Sequence, residues 1–111
     1  MKKYYRSTAL LVCLALSGTA MAADSDKVSM GRDKARQCSV CHGKLGIAND
    51  PEVPNLAGQS AFYIEKSLHD YQKGIREDRR MTLMVKNLSK EDIKQLAAWY
   101  ASIVILVKEP E

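Results

Sequence analysis

The sequence contains few glycines, prolines and aromatic residues, and this scarcity excludes several protein classes. Six glycines and three prolines in 111 residues are too few for a collagen-like or low-complexity chain. A hydrophobic content of 46% with 27% charged residues is typical of a globular protein. The length is that of one small domain rather than two.

The N-terminal segment, residues 1–22, has the pattern of a secretory signal peptide. Three basic residues precede an apolar run at residues 8–16, and Ala20 and Ala22 supply the small residues of a cleavage site. The apolar run is short for a segment that must cross a bilayer. We therefore expect export to the periplasm, cleavage after Ala22 and a mature domain of residues 23–111. An uncleaved leader that tethers the protein to the membrane is the alternative.

The charge balance does not favour nucleic-acid binding. The formal net charge of +4 includes the three basic residues of the leader, so the mature domain carries +1. The mature sequence has no stripe of lysine and arginine of the kind that nucleic-acid-binding domains present.

Hydrophobic spacing predicts an all-α domain with at least three helices. We expect the first helix at residues 28–41 and the second at residues 60–73, stopped by Gly74. The third begins with a capping-box pattern at Ser89 and continues through the apolar run at residues 103–107.

The apolar positions of each predicted helix fall on one face. They are Gly31, Ala35 and Cys38 in the first helix, with Ser29 as its cap, Ile64, Leu68, Tyr71 and Ile75 in the second, and Ile93, Leu96, Ala97, Tyr100 and Val104 in the third. Residues 43–58 form a loop whose length in so small a domain indicates a function. Residues 77–80 also resemble a loop.

The motif Cys38-Ser39-Val40-Cys41-His42 carries the chemistry of this chain. On one helical turn its two thiols and its imidazole point the same way. C-x-x-C-H is the attachment signature of c-type haem, in which each thiol forms a thioether with a porphyrin vinyl group. We therefore predict one covalently bound haem c, with His42 as a ligand of the iron. A domain this small also needs a central group to complete its core.

Two other uses of the motif are weighed against haem. A thioredoxin-like redox pair uses C-x-x-C in a βαβ context, and no strand is predicted before Cys38. A structural zinc site needs four ligands, for which Cys38, Cys41, His42 and the distant His69 are the candidates, but His69 lies among helix-forming polar residues.

The sixth coordination position of the iron has several candidate ligands. A methionine thioether raises the reduction potential and closes the iron to substrates, whereas an open position suits gas binding or catalysis. Met81 and Met84 follow the motif at a suitable distance, Met30 lies at the start of the first helix, and His69 competes from the second.

These residues resemble a class I c-type cytochrome, and in particular a single domain of the cytochrome c4 group. The resemblance covers nearly the whole mature domain. It rests on Gly31 seven residues before Cys38, on the haem motif, and on the runs at residues 54–59, 71–76, 87–89 and 93–102. It implies the class I cytochrome c fold, a small helical bundle around one haem, with Gly31 and Tyr100 where the first and last helices cross.

The resemblance also assigns roles in the site. It implies that Cys38 and Cys41 hold the haem, with His42 as the proximal ligand. Met81 is the distal ligand by this resemblance because it stands seven residues before the leucine of the Asn-Leu-Ser run, a place that Met84 does not occupy. Pro54 matches the family proline whose carbonyl accepts a hydrogen bond from the proximal histidine.

The implied function is that of a periplasmic electron carrier, which transfers one electron by an outer-sphere mechanism and is not an enzyme. Its partners are redox proteins, among which a membrane reductase or a terminal oxidase is the expected class, and Lys34, Lys44 and Lys86 could steer acidic ones. We expect a monomer or weak dimer.

The alternatives to an electron carrier are a haem-based sensor or small haem enzyme with a labile sixth ligand, and a thiol–disulfide module without haem. Cytochromes c4 carry two such domains, whereas this sequence has one motif.

Overall fold

The computed structural model describes residues 19–111, and every regular element in that range is a helix. In chain order the helices are α1 Thr19–Lys34, α2 Ser39–His42, α3 Ala61–Gln72, α4 Arg79–Val85 and α5 Lys90–Ser102. The predicted all-α class is confirmed. Most of the predicted leader lies outside the described residues. None of the described helices combines the length and the apolar character needed to cross a lipid bilayer.

Helix α5 organises the core, because both α1 and α3 pack against it, while α3 also contacts α4. The central cluster of buried side chains consists of Ala35, Ile64, Leu96, Ala97 and Tyr100. Most of the residues expected on the inner faces of α3 and α5 are therefore where the periodicity predicted them. Two are not: Ile75 is 70% exposed and Val104 is 83% exposed, because each lies beyond the end of its helix.

Helices α1 and α5 approach each other most closely at Gly31. A β-carbon at this position would lie 1.9 Å from the carbonyl oxygen of Gln95 and 2.9 Å from the β-carbon of Trp99. Only a residue without a side chain allows this approach. The predicted crossing of the first and last helices thus occurs, but the nearest atoms to Gly31 belong to Gln95 and Trp99, whereas Tyr100 lies against Gly46.

The prediction of one helix at residues 28–41 is wrong at both ends. Helix α1 begins earlier, so Ser29 lies inside it and its hydroxyl donates to the carbonyl of Asp26. Helix α1 also ends at Lys34, and a turn at residues 35–38 separates it from α2. The hydroxyl of Ser39 donates to the Arg36 carbonyl at 2.7 Å. This side-chain hydrogen bond competes with the regular helical backbone hydrogen bonds at the turn.

The segment at residues 77–80, expected to be a loop, contains the start of α4. The Asp78 carboxylate accepts a hydrogen bond from the Met81 amide at 2.8 Å, so Asp78 is an N-cap and the arginines after it are helical. Helix α3, in contrast, begins and ends close to the prediction. Its cap is Ser60, and Gly74 follows it with φ of +70°, the left-handed conformation that glycine favours.

The capping box at the start of α5 is confirmed, but the helix does not continue through residues 103–107 as predicted. The Ser89 hydroxyl accepts from the Asp92 amide at 3.1 Å, and the Asp92 carboxylate accepts from the Ser89 amide at 2.8 Å. At the other end, the Gly58 amide donates at 3.0 Å to the Tyr100 carbonyl, the acceptor that a continuing helix would use. Three consecutive β-branched residues after Ser102 also disfavour helix, and Ile103 is extended.

Candidate functional site

The C-x-x-C-H motif occupies the turn after α1 and the whole of α2. The His42 amide donates to the Cys38 carbonyl at 2.9 Å, so the motif forms one helical turn. The His42 side chain is buried, Cys38 is half-buried and Cys41 is exposed. Gly43 ends the turn with φ of +80°, where a β-carbon would lie 1.9 Å from the Ile47 carbonyl oxygen. The chain therefore reverses tightly after His42.

The His42 imidazole is oriented by the loop at residues 43–58. Its Nδ1 atom lies 2.8 Å from the carbonyl oxygen of Pro54. A carbonyl only accepts, so Nδ1 carries the proton and donates, which leaves the Nε2 lone pair free to bind a metal. The loop is braced by the Leu56 amide, which donates to the Gly46 carbonyl at 2.8 Å, and by the Ala48 amide, which donates to the Asn55 side chain at 2.8 Å.

The two thiols lie in different environments and are not joined by a disulfide. Cys38 packs against the core cluster that contains Tyr100. Burial raises the pKa of the Cys38 thiol, and the Tyr100 hydroxyl beside it opposes part of that rise. Burial likewise raises the pKa of Tyr100 well above its usual range. That hydroxyl makes no well-directed hydrogen bond in the described structure.

The thiols and the imidazole do not by themselves form a site for a metal ion. Among residues 19–111, no group of three or more histidine, cysteine, aspartate or glutamate side chains is close enough to hold a metal ion. The four-ligand zinc site considered from the sequence is therefore not assembled, and His69 stays in the last turn of α3. Nor does a strand precede the motif within residues 19–37, as a thioredoxin-like module requires.

The candidate distal ligands lie in three helices. Met81 is half-buried in the first turn of α4, and Met84, in the same helix, is 40% exposed. Met30 in α1 is 52% exposed, and its sulfur accepts a hydrogen bond from the side-chain amide of Gln95 at 3.3 Å. His69 is half-buried in α3.

Comparison with known proteins places this arrangement in a family. No protein-family model matches the chain. Cytochrome c4 of Pseudomonas aeruginosa is 41% identical over 93 residues, which are 84% of this chain and 45% of that protein. Cytochrome c-554(548) of Halomonas halodenitrificans is 45% identical over 75 residues, which are 65% of this chain and 90% of that protein.

The chain belongs to the class I c-type cytochromes of the c4 group. Its fold agrees with the crystal structure of reduced cytochrome c4 from Pseudomonas stutzeri, with a TM-score of 0.67 and 29% identity over 72% of this chain and 50% of that one. The chain spans about half the length of the curated cytochromes c4 that it matches. Members of the family are electron-transfer proteins with covalently bound haem c, the cofactor predicted from the sequence.

The residues present in this cytochrome fit such a group. Covalent attachment needs two thiols three residues apart, and ligation needs a neighbouring imidazole with one free nitrogen; Cys38, Cys41 and His42 meet both needs. Apolar side chains flank the motif, since Leu45 is 55% exposed and Ile47 is 48% exposed on the loop that follows it. These exposed apolar groups suit contact with a large flat apolar cofactor.

Three contacts near the site were not predicted from the sequence of this cytochrome. One is the Tyr100 hydroxyl beside Cys38, and another is the cap that Asp78 provides for the helix carrying Met81. An aspartate three residues before Met81 is a recognisable N-cap signal. The third is Gln72, whose side-chain amide donates to the carbonyl of Val85, the last residue of α4, and to that of Leu88, a contact between distant residues that no local pattern encodes.

Proposed function

We propose that this cytochrome is a periplasmic carrier of single electrons that holds one haem c. Cys38 and Cys41 attach the haem, His42 is the proximal ligand and Met81 the distal ligand. When bound, the haem supplies the one-electron redox chemistry, and the protein supplies ligands, burial and electrostatics. The observation that carries the proposal is the contact of 2.8 Å between His42 Nδ1 and the Pro54 carbonyl oxygen, next to two free thiols.

The contact between His42 and Pro54 supports a role as proximal ligand in two ways. It selects the tautomer with a free Nε2, and it holds the ring plane while the opposite nitrogen binds iron. The bond also places a carbonyl dipole against Nδ1–H, which strengthens electron donation from the opposite nitrogen to a bound iron. Because His42 is 6% exposed, water competes little for either ring nitrogen.

Met81 is favoured as the distal ligand over the other candidates. It matches the family position of the ligand, it is half-buried, and its own amide is fixed by Asp78. The Met30 sulfur is occupied by Gln95. A thioether ligand closes the iron to exogenous molecules, and this suits an electron carrier better than a sensor or a haem enzyme.

The proposed location and partners follow from the leader and from the charges of the domain. Residues 1–22 direct export and are removed, which leaves the monohaem domain of residues 23–111 in the periplasm. The partners are redox proteins, of the class of a membrane reductase or a terminal oxidase. Lys44 and Lys86 are exposed and available to meet acidic partners, whereas Lys34, predicted to do the same, forms an ion pair with Asp92.

The experiment is to purify the exported protein and to record its intact mass and visible spectrum. We expect the mass of residues 23–111 plus one haem that resists acid-acetone extraction. Cys38→Ser and Cys41→Ser should each remove one thioether, and the matched control, Cys13→Ser in the leader, should leave both. A colourless folded protein whose two thiols are free or disulfide-bonded would contradict the proposal. A haem protein that binds carbon monoxide readily when reduced would favour the sensor or enzyme alternative.

A further inference from the structure

We propose that Gln72 is a positioning residue that holds the helix carrying Met81 and thereby keeps the Met81 thioether on the iron. This inference rests on the proposed function, since it takes Met81 as the distal ligand. Gln72 is not itself a ligand, and it acts only through the backbone of the segment that follows Met81.

The Gln72 amide links the end of α3 to the end of α4. Its Nε2 atom donates to the carbonyl oxygen of Val85 at 2.8 Å and to that of Leu88 at 2.8 Å. A side-chain amide nitrogen has two hydrogens, so both contacts can form at once. The Val85 carbonyl belongs to the last turn of α4, where carbonyls lack intrahelical donors, and it also accepts from the Leu88 amide at 3.1 Å. Gln72 therefore caps α4 from another helix.

Helix α4 depends on its ends, because it has only seven residues. A helix of that length is not stable by itself in water and needs tertiary contacts. At the N-terminal end the Asp78 carboxylate accepts from the Met81 amide at 2.8 Å. At the C-terminal end Gln72 holds the Val85 carbonyl, and the Val85 side chain is 1% exposed. Polar contacts at both ends and one buried side chain thus fix the helix.

Met81 lies one helical turn before Val85, on the same face of α4. A shift of the Val85 end of the helix therefore moves the Met81 side chain in the same direction. Residues 73–77, which connect α3 to α4, are all exposed, and no heavy atom lies within 4 Å of a β-carbon built at Gly74. The connecting loop is tied to α3 rather than to α4, because the Ile75 and Arg76 amides both donate to the Asp70 carbonyl, at 2.9 and 3.1 Å. Gln72 adds direct hydrogen bonds between α3 and the end of α4.

The loss of these hydrogen bonds should make the Met81 thioether leave the iron more often. An exogenous ligand binds only when the distal position is open, so its apparent affinity rises with the open fraction. Because Gln72 is exposed, the substitutions Gln72→Glu and Gln72→Leu keep the core intact while removing both donors. The glutamate variant keeps the size of the side chain, and the leucine variant adds no charge.

The test is imidazole binding to the oxidised holoprotein, followed through the sulfur-to-iron charge-transfer band. We expect both Gln72 variants to bind imidazole about fivefold to tenfold more tightly than the unmutated protein, as the loss of one to two hydrogen bonds implies. The matched controls are Gln59→Glu and Gln59→Leu, since the Gln59 side chain makes no hydrogen bond within the described residues. They should bind imidazole as the unmutated protein does.

Two outcomes would overturn the role of Gln72. One is imidazole affinity in both Gln72 variants equal to that of the Gln59 controls. The other is a lower melting temperature with unchanged imidazole binding, which is the result of a merely structural contact. The band of the unmutated protein tests Met81 ligation separately. Its absence contradicts the proposed ligand set, whereas a normal band with unchanged imidazole binding in the variants rejects only the positioning role.

Discussion

Lys34 in α1 forms an ion pair with Asp92 in α5, and the same carboxylate closes the capping box of α5. The Lys34 ammonium and the hydrogen bonds with Ser89 hold the pKa of Asp92 at about 2, below its ordinary value of 3.8. One side chain thus joins two helices and caps one of them. The two roles depend on the same negative charge.

This arrangement predicts a loss of stability at acid pH. A carboxylate whose pKa is lowered in the folded state stabilises the protein above pH 3.8, and this contribution disappears as the pH falls towards 2. In Asp92→Asn the free energy of unfolding should be lower at pH 7 and should lack this component of the acid titration. Urea unfolding from pH 7 to pH 2 measures both effects. The control is Asp33→Asn, which removes an exposed ion pair with Arg36. If this control changes the dependence of stability on pH as much as Asp92→Asn does, the acid sensitivity does not come from Asp92.

Gly31→Ala should destabilise the protein by about 1–3 kcal/mol, because a methyl group cannot fit between α1 and the Gln95 backbone without moving one helix. The control is Gly74→Ala, at a site with no heavy atom within 4 Å but with φ of +70°, where the expected cost is about 1 kcal/mol of backbone strain. Urea denaturation of the two variants gives both values. A cost for Gly31→Ala of less than about 1 kcal/mol would indicate that α1 and α5 can separate freely at Gly31.

Asn55→Ala should weaken the loop that presents the Pro54 carbonyl to His42. The Asn55 side chain accepts from the Ala48 amide at 2.8 Å, and losing this bond should cost about 1 kcal/mol of unfolding free energy. Exchange of the His42 Nδ1 proton, followed by NMR, should become faster. Asp50→Ala, which removes a local bond to the Glu52 amide, serves as the control. Unchanged exchange in Asn55→Ala would show that the loop holds Pro54 without this brace.

Met81→Ala should abolish the sulfur-to-iron charge-transfer band of the oxidised protein, because it removes the proposed distal thioether. Met84→Ala, in the same helix, should leave the band in place and so controls for damage to α4. The visible spectra of the two oxidised variants decide between the two methionines. The reverse pattern would transfer the role of ligand to Met84.

Much of the site could be predicted from local patterns. The spacing of Cys38, Cys41 and His42 depends on one helical turn, and the capping box at Ser89 depends on four consecutive residues. The helix boundaries were less predictable. In the turn after α1 the Ser39 hydroxyl donates to the Arg36 carbonyl, and at the end of α5 the Gly58 amide donates to the Tyr100 carbonyl. The partner in the second case is distant in sequence, which periodicity cannot detect.

The sequence by itself determined the helical class and the haem cofactor, and it singled out the two thiols proposed to attach that haem, because all three follow from residues within one or two helical turns. Only the tertiary structure decided how the ligands are held. It pairs His42 with the carbonyl of a loop, directs Gln72 to the end of α4, and engages Lys34 in an ion pair with Asp92. These contacts join backbone or charged groups far apart in the chain, so they exist only after the helices have packed.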